Sequence, residues 1–178
     1  ERRNPLFIPC TPKGCFELLK RYNITFKGNY EFQNSYLIND SLGMPKIENI
    51  FGYVEFDQNN IEIKEAKATI LDSPIKLSLN NLGDITQVNI DGIINEDFFR
   101  SAFGDDWANK LIGEASWFGE IKIKDKTTDI MVASDLKGLQ SDLPLPFNKD
   151  KDEVKTFLFT KQASKVNQEI ITAEISTI

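Results

Sequence analysis

Between Tyr22 and Phe32 the chain alternates without a break. Tyr22, Ile24, Phe26, Gly28, Tyr30 and Phe32 are separated by Asn23, Thr25, Lys27, Asn29 and Glu31. A period of two is that of a β-strand, whose successive side chains point to opposite faces. At about 3.4 Å per residue such a strand exceeds about 30 Å, longer than the usual strand of about six residues. Gly28 in its middle marks a bend or a bulge. The face it makes is rich in aromatic residues and has to be covered, so the chain must build a sheet with one apolar side.

The rest of the chain repeats this pattern in shorter pieces. Ser35 to Ile38 reads as a second short strand folding back on the first, and Asp40 to Pro45 as a turn. Ile50 to Phe56 places Gly52, Val54 and Phe56 on one face, and Asp57-Gln58-Asn59-Asn60 is a hairpin loop whose Asn and Asp tolerate left-handed φ. Ile61 and Ile63 keep one phase whereas Ala66, Ala68 and Ile70 keep the other, so a bulge or short turn is expected at Lys64-Glu65. Ile75, Leu77 and Leu79 form a strand, Asn80 to Asp84 a turn, and Thr86 to Gly92 another strand. Successive antiparallel strands of this kind make a meander.

One helical insertion is expected between residues 95 and 113. Asn95 or Glu96 opens an amphipathic segment with Phe99 and Phe103 four apart, Gly104-Asp105 breaks it, and Trp107 to Ile112 resumes the helix with Gly113 beyond its end. Strands then follow at Trp117 to Lys124 and Ile130 to Ser134. In Leu143-Pro144-Leu145-Pro146-Phe147 each proline lacks an N–H and biases its predecessor to extended geometry. That segment reads as a rigid extended connector anchored by Leu143, Leu145 and Phe147. Glu153 to Lys161 and Val166 to Ser176 close the chain as a hairpin, with Phe157 and Phe159 on a shared face. The fold class is therefore β-rich: a curved, mostly antiparallel sheet with a short helix pair.

A length of 178 residues fits one domain with a sizeable core, irregular over residues 1–20, where Pro5, Pro9, Pro12 and Gly14 fall. The net charge of −6, with no block of Lys and Arg, argues against a nucleic-acid partner. No run of about 18 apolar residues is present to cross a membrane as a helix. The chain starts Glu-Arg-Arg, with neither Met nor a signal-peptide pattern, and reads as an excised or processed piece of a longer protein.

Histidine is absent, which excludes a Ser-His-Asp relay, a Cys-His pair and an imidazole metal ligand. Cys10 and Cys15 flank Thr-Pro-Lys-Gly, a turn. They can close a small disulfide loop in an oxidising compartment or stand as two free thiols, and without histidine they complete no zinc site. Asp105-Asp106 reads as helix N-terminal acids favouring the macrodipole, and Asp57 to Asn60 lacks the spaced ligands of a Ca²⁺ loop. Asn23-Ile24-Thr25 fits a glycosylation acceptor but lies inside an expected strand. Lys149 to Glu153 reads as a solvated loop, and Gly113, Gly119 and Gly138 have no phosphate-binding spacing. No catalytic constellation, cofactor motif or metal site emerges, so a non-enzymatic protein is expected.

Several stretches, taken in order, carry a resemblance. They are Asn49-Ile50-Phe51-Gly52-Tyr53-Val54-Glu55-Phe56-Asp57, Leu71-Asp72-Ser73-Pro74-Ile75, Gly113-Glu114-Ala115-Ser116-Trp117-Phe118-Gly119-Glu120, Ser134-Asp135-Leu136-Lys137-Gly138-Leu139 and Leu143-Pro144-Leu145-Pro146-Phe147-Asn148-Lys149. Together they span roughly residues 45 to 150, and the set resembles the large AsmA-like, YhdP-type proteins of Gram-negative bacteria. Residues 1 to 40 depart from that pattern. The resemblance implies a periplasmic, β-rich body in a longer protein anchored in the inner membrane. It also implies a part in phospholipid transport between the two membranes or in outer-membrane integrity. No catalytic motif comes with it.

An apolar sheet face suits that work, because burying one acyl methylene gains about 0.8 kcal/mol. The candidate groove lining is Ile24, Phe26, Tyr30, Phe32, Val54, Phe56, Ile75, Leu77 and Leu79, chosen by alternation alone. The expected partners are phospholipid acyl chains and the remainder of the same longer chain. The alternative is a structural or protein-interaction module of the envelope, with a closed core and exposed sheet edges that dock a neighbouring strand.

Overall fold

Nine strands form one antiparallel sheet, and all nine follow one another in space in their sequence order. The computed structural model describes residues 17–19, 21–38, 44–125, 127–163 and 169–177. The strands in chain order are β1 (Lys27–Leu37), β2 (Ile47–Asp57), β3 (Ile61–Ile70), β4 (Ser73–Leu82), β5 (Ile85–Ile94), β6 (Leu111–Gly113), β7 (Ala115–Lys124), β8 (Thr127–Ser134), β9 (Leu139–Ser141), β10 (Lys155–Ala163) and β11 (Glu169–Thr177). The large sheet has the order β1-β2-β3-β4-β5-β7-β8-β10-β11, while β6 and β9 pair separately. Two helices, α1 (Glu96–Phe103) and α2 (Asp105–Ala108), lie between β5 and β6.

Partners across an antiparallel ladder share a face. One row of partners crosses the whole sheet: Phe32, Gly52, Ala66, Leu77, Ile90, Gly119, Val132, Phe159 and Ala173. Every member is apolar or glycine. The row Ile63, Leu79, Val88, Ile121 and Ile130 runs beside it. On the other face the row Lys67, Lys76, Asp91, Phe118, Ala133, Leu158 and Glu174 is mixed and more polar. The sheet is therefore amphipathic from edge to edge, as the period-two pattern requires.

Bulges keep this phase where the sequence slips. Between Ile63 and Ala66, β3 advances three residues while β4 retreats two, from Leu79 to Leu77, which puts the extra residue at Lys64-Glu65 as expected. A second bulge falls in β1 between Phe32 and Ser35, and a third in β2 between Glu48 and Phe51. They contain Asn34 and Asn49, whose φ values of 49° and 51° lie in the left-handed region that asparagine tolerates.

Several boundaries differ from the sequence expectation. The first strand starts at Lys27 and runs through to Leu37, so the expected second strand at Ser35 to Ile38 is its continuation as far as Leu37, and its partner is β2. Tyr22 and Ile24 instead follow a helical turn at Glu17–Leu19, with their amides bonded to Leu18 and Leu19 carbonyls at 3.1 and 2.9 Å. Local alternation is the same in both settings; the hydrogen bonds decide. The Asn80 to Asp84 turn shrinks to Gly83-Asp84, because Leu82 still pairs with Ile85. Leu111 to Gly113 is strand β6, not helix, since its groups pair with β9 and α2 ends at Ala108. Leu143 to Phe147 is a turn rather than an extended connector: Leu145–Pro146 is cis, and the Phe147 amide donates to the Pro144 carbonyl at 2.9 Å. Leu143 is buried there, whereas Leu145 is 81% exposed and anchors nothing. Cys10 and Cys15, and most of the expected Asp40 to Pro45 turn, lie outside the described residues.

The β2–β3 hairpin is closed by Asp57, whose carboxylate accepts from the Asn59 and Asn60 amides at 2.7 and 2.8 Å. These amides, Asn59 foremost, hold its pKa below the ordinary carboxylate value. A depressed folded-state pKa gives stability that is full above the unfolded value, near 4, and lost as pH falls through the folded value. Asp57→Ala is therefore expected to lower Tm at pH 7 but not at about pH 2. A deficit that persists undiminished in acid would assign the effect to turn propensity instead.

Candidate functional site

The two links β5–α1–α2–β6–β7 and β8–β9–β10 leave the sheet at the same end of their strands and fold over its apolar face. Asn95 starts the lid: its side chain accepts from the Phe98 amide at 3.0 Å and from the hydroxyl of fully buried Ser73 at 2.9 Å, tying helix to sheet. Gly104, at φ 87°, joins α1 to α2, and Arg100 bridges them by pairing with Asp105 at 2.9 Å while holding Glu96 and Asp97 of its own helix. The underside of the lid is a run of rings, Phe98, Phe99, Phe103 and Trp107, with successive centroids 5.7 to 5.9 Å apart.

Between lid and sheet lies a cavity of about 600 Å³ with an almost wholly apolar wall. Its floor is built from Ile90, Trp117, Ile121, Ile130, Val132 and Phe159. Trp117 lies flat because its neighbours are glycines. A Cβ on Gly92 would come within 2.4 Å of Trp117 Nε1, and one on Gly119 within 3.0 Å of its Cζ3. Any side chain at Gly92 would lift the indole into the cavity. Trp117 Nε1 is buried and has no acceptor among the described residues.

Besides Glu120 and Ser141, three lysines break the apolar lining: Lys149, Lys155 and Lys161, each at most 9% exposed. Lys149 Nζ donates to the carbonyls of Leu139 and Asp150 at 2.6 and 2.8 Å, and burial pushes its pKa down. Lys155 Nζ donates to the Pro146 and Asn148 carbonyls and lies 3.6 Å from Glu153. Lys161 pairs with Glu169 at 3.0 Å. The expectation of a solvated Lys149 to Glu153 loop thus fails at Lys149. Its backbone bridges Ser141 in both directions, which carries the side chain inward.

The groove candidates divide by place. Tyr30, Phe32, Val54, Phe56, Ile75, Leu77 and Leu79 lie on β1, β2 and β4, on the apolar side of the sheet by register. None of them lines the cavity, which sits over β5, β7, β8 and β10. Ile75 is buried in the core, and Tyr30, at the uncapped end of the row, is 63% exposed. Ile24 and Phe26 fall before the first strand. The lid aromatics were visible in sequence as a helical stripe; the buried lysines carried no local signal.

The comparison with known families is decided by its extent. The YhdP family profile matches residues 18–177, the full span of the nine-stranded sheet. The chain belongs to the YhdP family. This AsmA-like family is one of the bacterial envelope, and the YhdP match takes in the sheet, the lid and the cavity together. Separately, a stretch of 26 residues is 81% identical to bifunctional protein FolD 3, chloroplastic, of Arabidopsis thaliana, and such a stretch is 77% identical to FolD 4, chloroplastic, of the same plant. These alignments cover 15% of this YhdP-family chain and 8% and 7% of the FolD proteins, too little to carry a fold or a site. No solved structure matches the chain.

Proposed function

We propose that this chain is a non-enzymatic, periplasmic part of a longer envelope protein anchored in the inner membrane, and that it holds phospholipid acyl chains on its apolar face. In that role it contributes to phospholipid transport between the inner and outer membranes, and so to outer-membrane integrity. The observation carrying this reading is the apolar row that crosses all nine strands and opens, beneath the lid, into a cavity of about 600 Å³. Such a volume falls within the usual range for small-molecule pockets, about 300 to 1,000 Å³. Each methylene moved from water into it gains about 0.8 kcal/mol, so a lipid tail enters without any chemical step. The edge strands β1 and β11 leave backbone groups for neighbouring segments of the same longer chain.

Native mass spectrometry of the gently purified protein, with lipid extraction, tests the reading. Phospholipid is expected to travel with the wild type. Phe56→Asp, at the uncapped end of the sheet, is expected to fold and to hold less of it. A clean apo mass together with no uptake of labelled phospholipid would instead favour a structural module with a closed core.

A further inference from the structure

The apolar cavity does not end at its own wall. Beside it lies a polar cleft of about 360 Å³, lined by Asp142, Asn148, Asp150 and Glu153. Ser141, Leu143 and Lys149 line both spaces. A chamber for a tail and a chamber for a polar group thus stand back to back, with a buried ammonium at the partition.

That ammonium is incompletely answered. Lys149 is 4% exposed, and among the described residues no carboxylate lies within ion-pair distance of its Nζ. Two carbonyls take two of its three protons. A buried cation with no carboxylate in direct contact is costly, and an anionic oxygen at the partition relieves that cost. The cleft beyond it has the opposite sign. Asp142 and Asp150 are exposed, and neither carboxylate is in an ion pair among the described residues; Glu153 is engaged by the Asp150 amide and faces Lys155. A ligand carrying only negative charge would meet these acids on its way to Lys149.

On this basis we infer that the partition is a headgroup site for a zwitterionic lipid. The phosphodiester oxygen meets Lys149, the amine lies among Asp142 and Asp150, and the tail runs into the cavity beneath the lid. This inference rests on the acyl-binding reading above and adds the headgroup class to it.

The chain's two tryptophans, Trp107 and Trp117, both line the cavity, so intrinsic fluorescence reports its occupancy. The purified protein is titrated with dodecylphosphocholine, dodecyl phosphate, dodecanol and tail-less phosphocholine, all below micellar concentrations. One added charge-assisted contact is worth about tenfold in affinity, so dodecylphosphocholine should bind at least about tenfold tighter than either other dodecyl compound. Phosphocholine alone should leave the emission unchanged. The exposed double variant Asp142→Asn, Asp150→Asn should erase the advantage over dodecyl phosphate, and Lys149→Met should weaken dodecylphosphocholine and dodecyl phosphate while leaving dodecanol unchanged. The wild-type ranking and the double variant decide the matter even if Lys149→Met does not fold. Equal binding of the three dodecyl compounds to the wild type would overturn the headgroup site and leave the acyl reading standing. Binding of none would overturn both. Tightest binding of dodecyl phosphate, or tail-less phosphocholine matching its amphiphile, would overturn the zwitterionic assignment.

Discussion

Gly113→Ala is expected to cost about 3 kcal/mol or more, and so to lower Tm by roughly 6 to 12 °C in a chain of this size. Two independent penalties combine there. Gly113 has φ 93°, a conformation that L side chains rarely adopt, and its Cβ would stand 2.3 Å from the Gly138 carbonyl oxygen. Gly138 repeats the arrangement, with φ 93° and the Glu114 carbonyl oxygen 2.5 Å from its Cβ position. Both contacts are with backbone, which cannot rotate aside as a side chain can. These glycines let β6 and β9 approach and so hold the lid link against the Pro-rich turn. Gly104 is the control, because it has φ 87° but nothing within 4 Å of its Cβ position, so Gly104→Ala should cost only the backbone penalty, about 1 to 3 kcal/mol, and less than Gly113→Ala. Thermal denaturation of the two variants measures the difference. Equal losses at Gly113 and Gly104 would mean that the close approach contributes nothing.

Phe99→Asp is the second change with a large expected effect, this time on binding. Phe99 is half-buried in the middle of the lid, with rings on both sides at 5.8 and 5.9 Å, and it packs on the hydrophobic core. A carboxylate there gives up water on the apolar side, where the three lysines of the lining are already held by carbonyls, Glu153 and Glu169, and it should draw the helix away from the sheet. The nine-stranded sheet has its own ladder and should persist, so the far-ultraviolet circular dichroism should keep its β signal. Retained phospholipid should fall at least about tenfold, the consequence of exposing two or more methylenes' worth of cavity lining to water. A folded Phe99→Asp protein that still carries lipid at wild-type occupancy would place the lipid elsewhere on the sheet.

Much of this architecture was legible in the chain. Period-two alternation identified the antiparallel meander and its apolar face, and the phase slip at Lys64-Glu65 located a bulge. Asn95, with Phe99 and Phe103 four apart, marked the lid helix. These signals are local, and local backbone preference determines them. The strand at Leu111 to Gly113 and the reach of β1 to Leu37 depend on pairing partners outside their own segments, so no short window of the chain displays them.

The same division holds for the site. The sequence by itself determined that one face of the sheet is apolar, because the order of side chains fixes which of them share a face once the backbone is extended. Only the tertiary structure decided which part of that face is roofed. Two connections leave the sheet at one end and fold back over β5 to β10, closing a cavity there and leaving Tyr30 and its neighbours open. It also decided that Lys149 turns inward. Its charge reads as a surface feature until the backbone bridge to Ser141 carries it inward, where the carbonyls of Leu139 and Asp150 take two of its three protons.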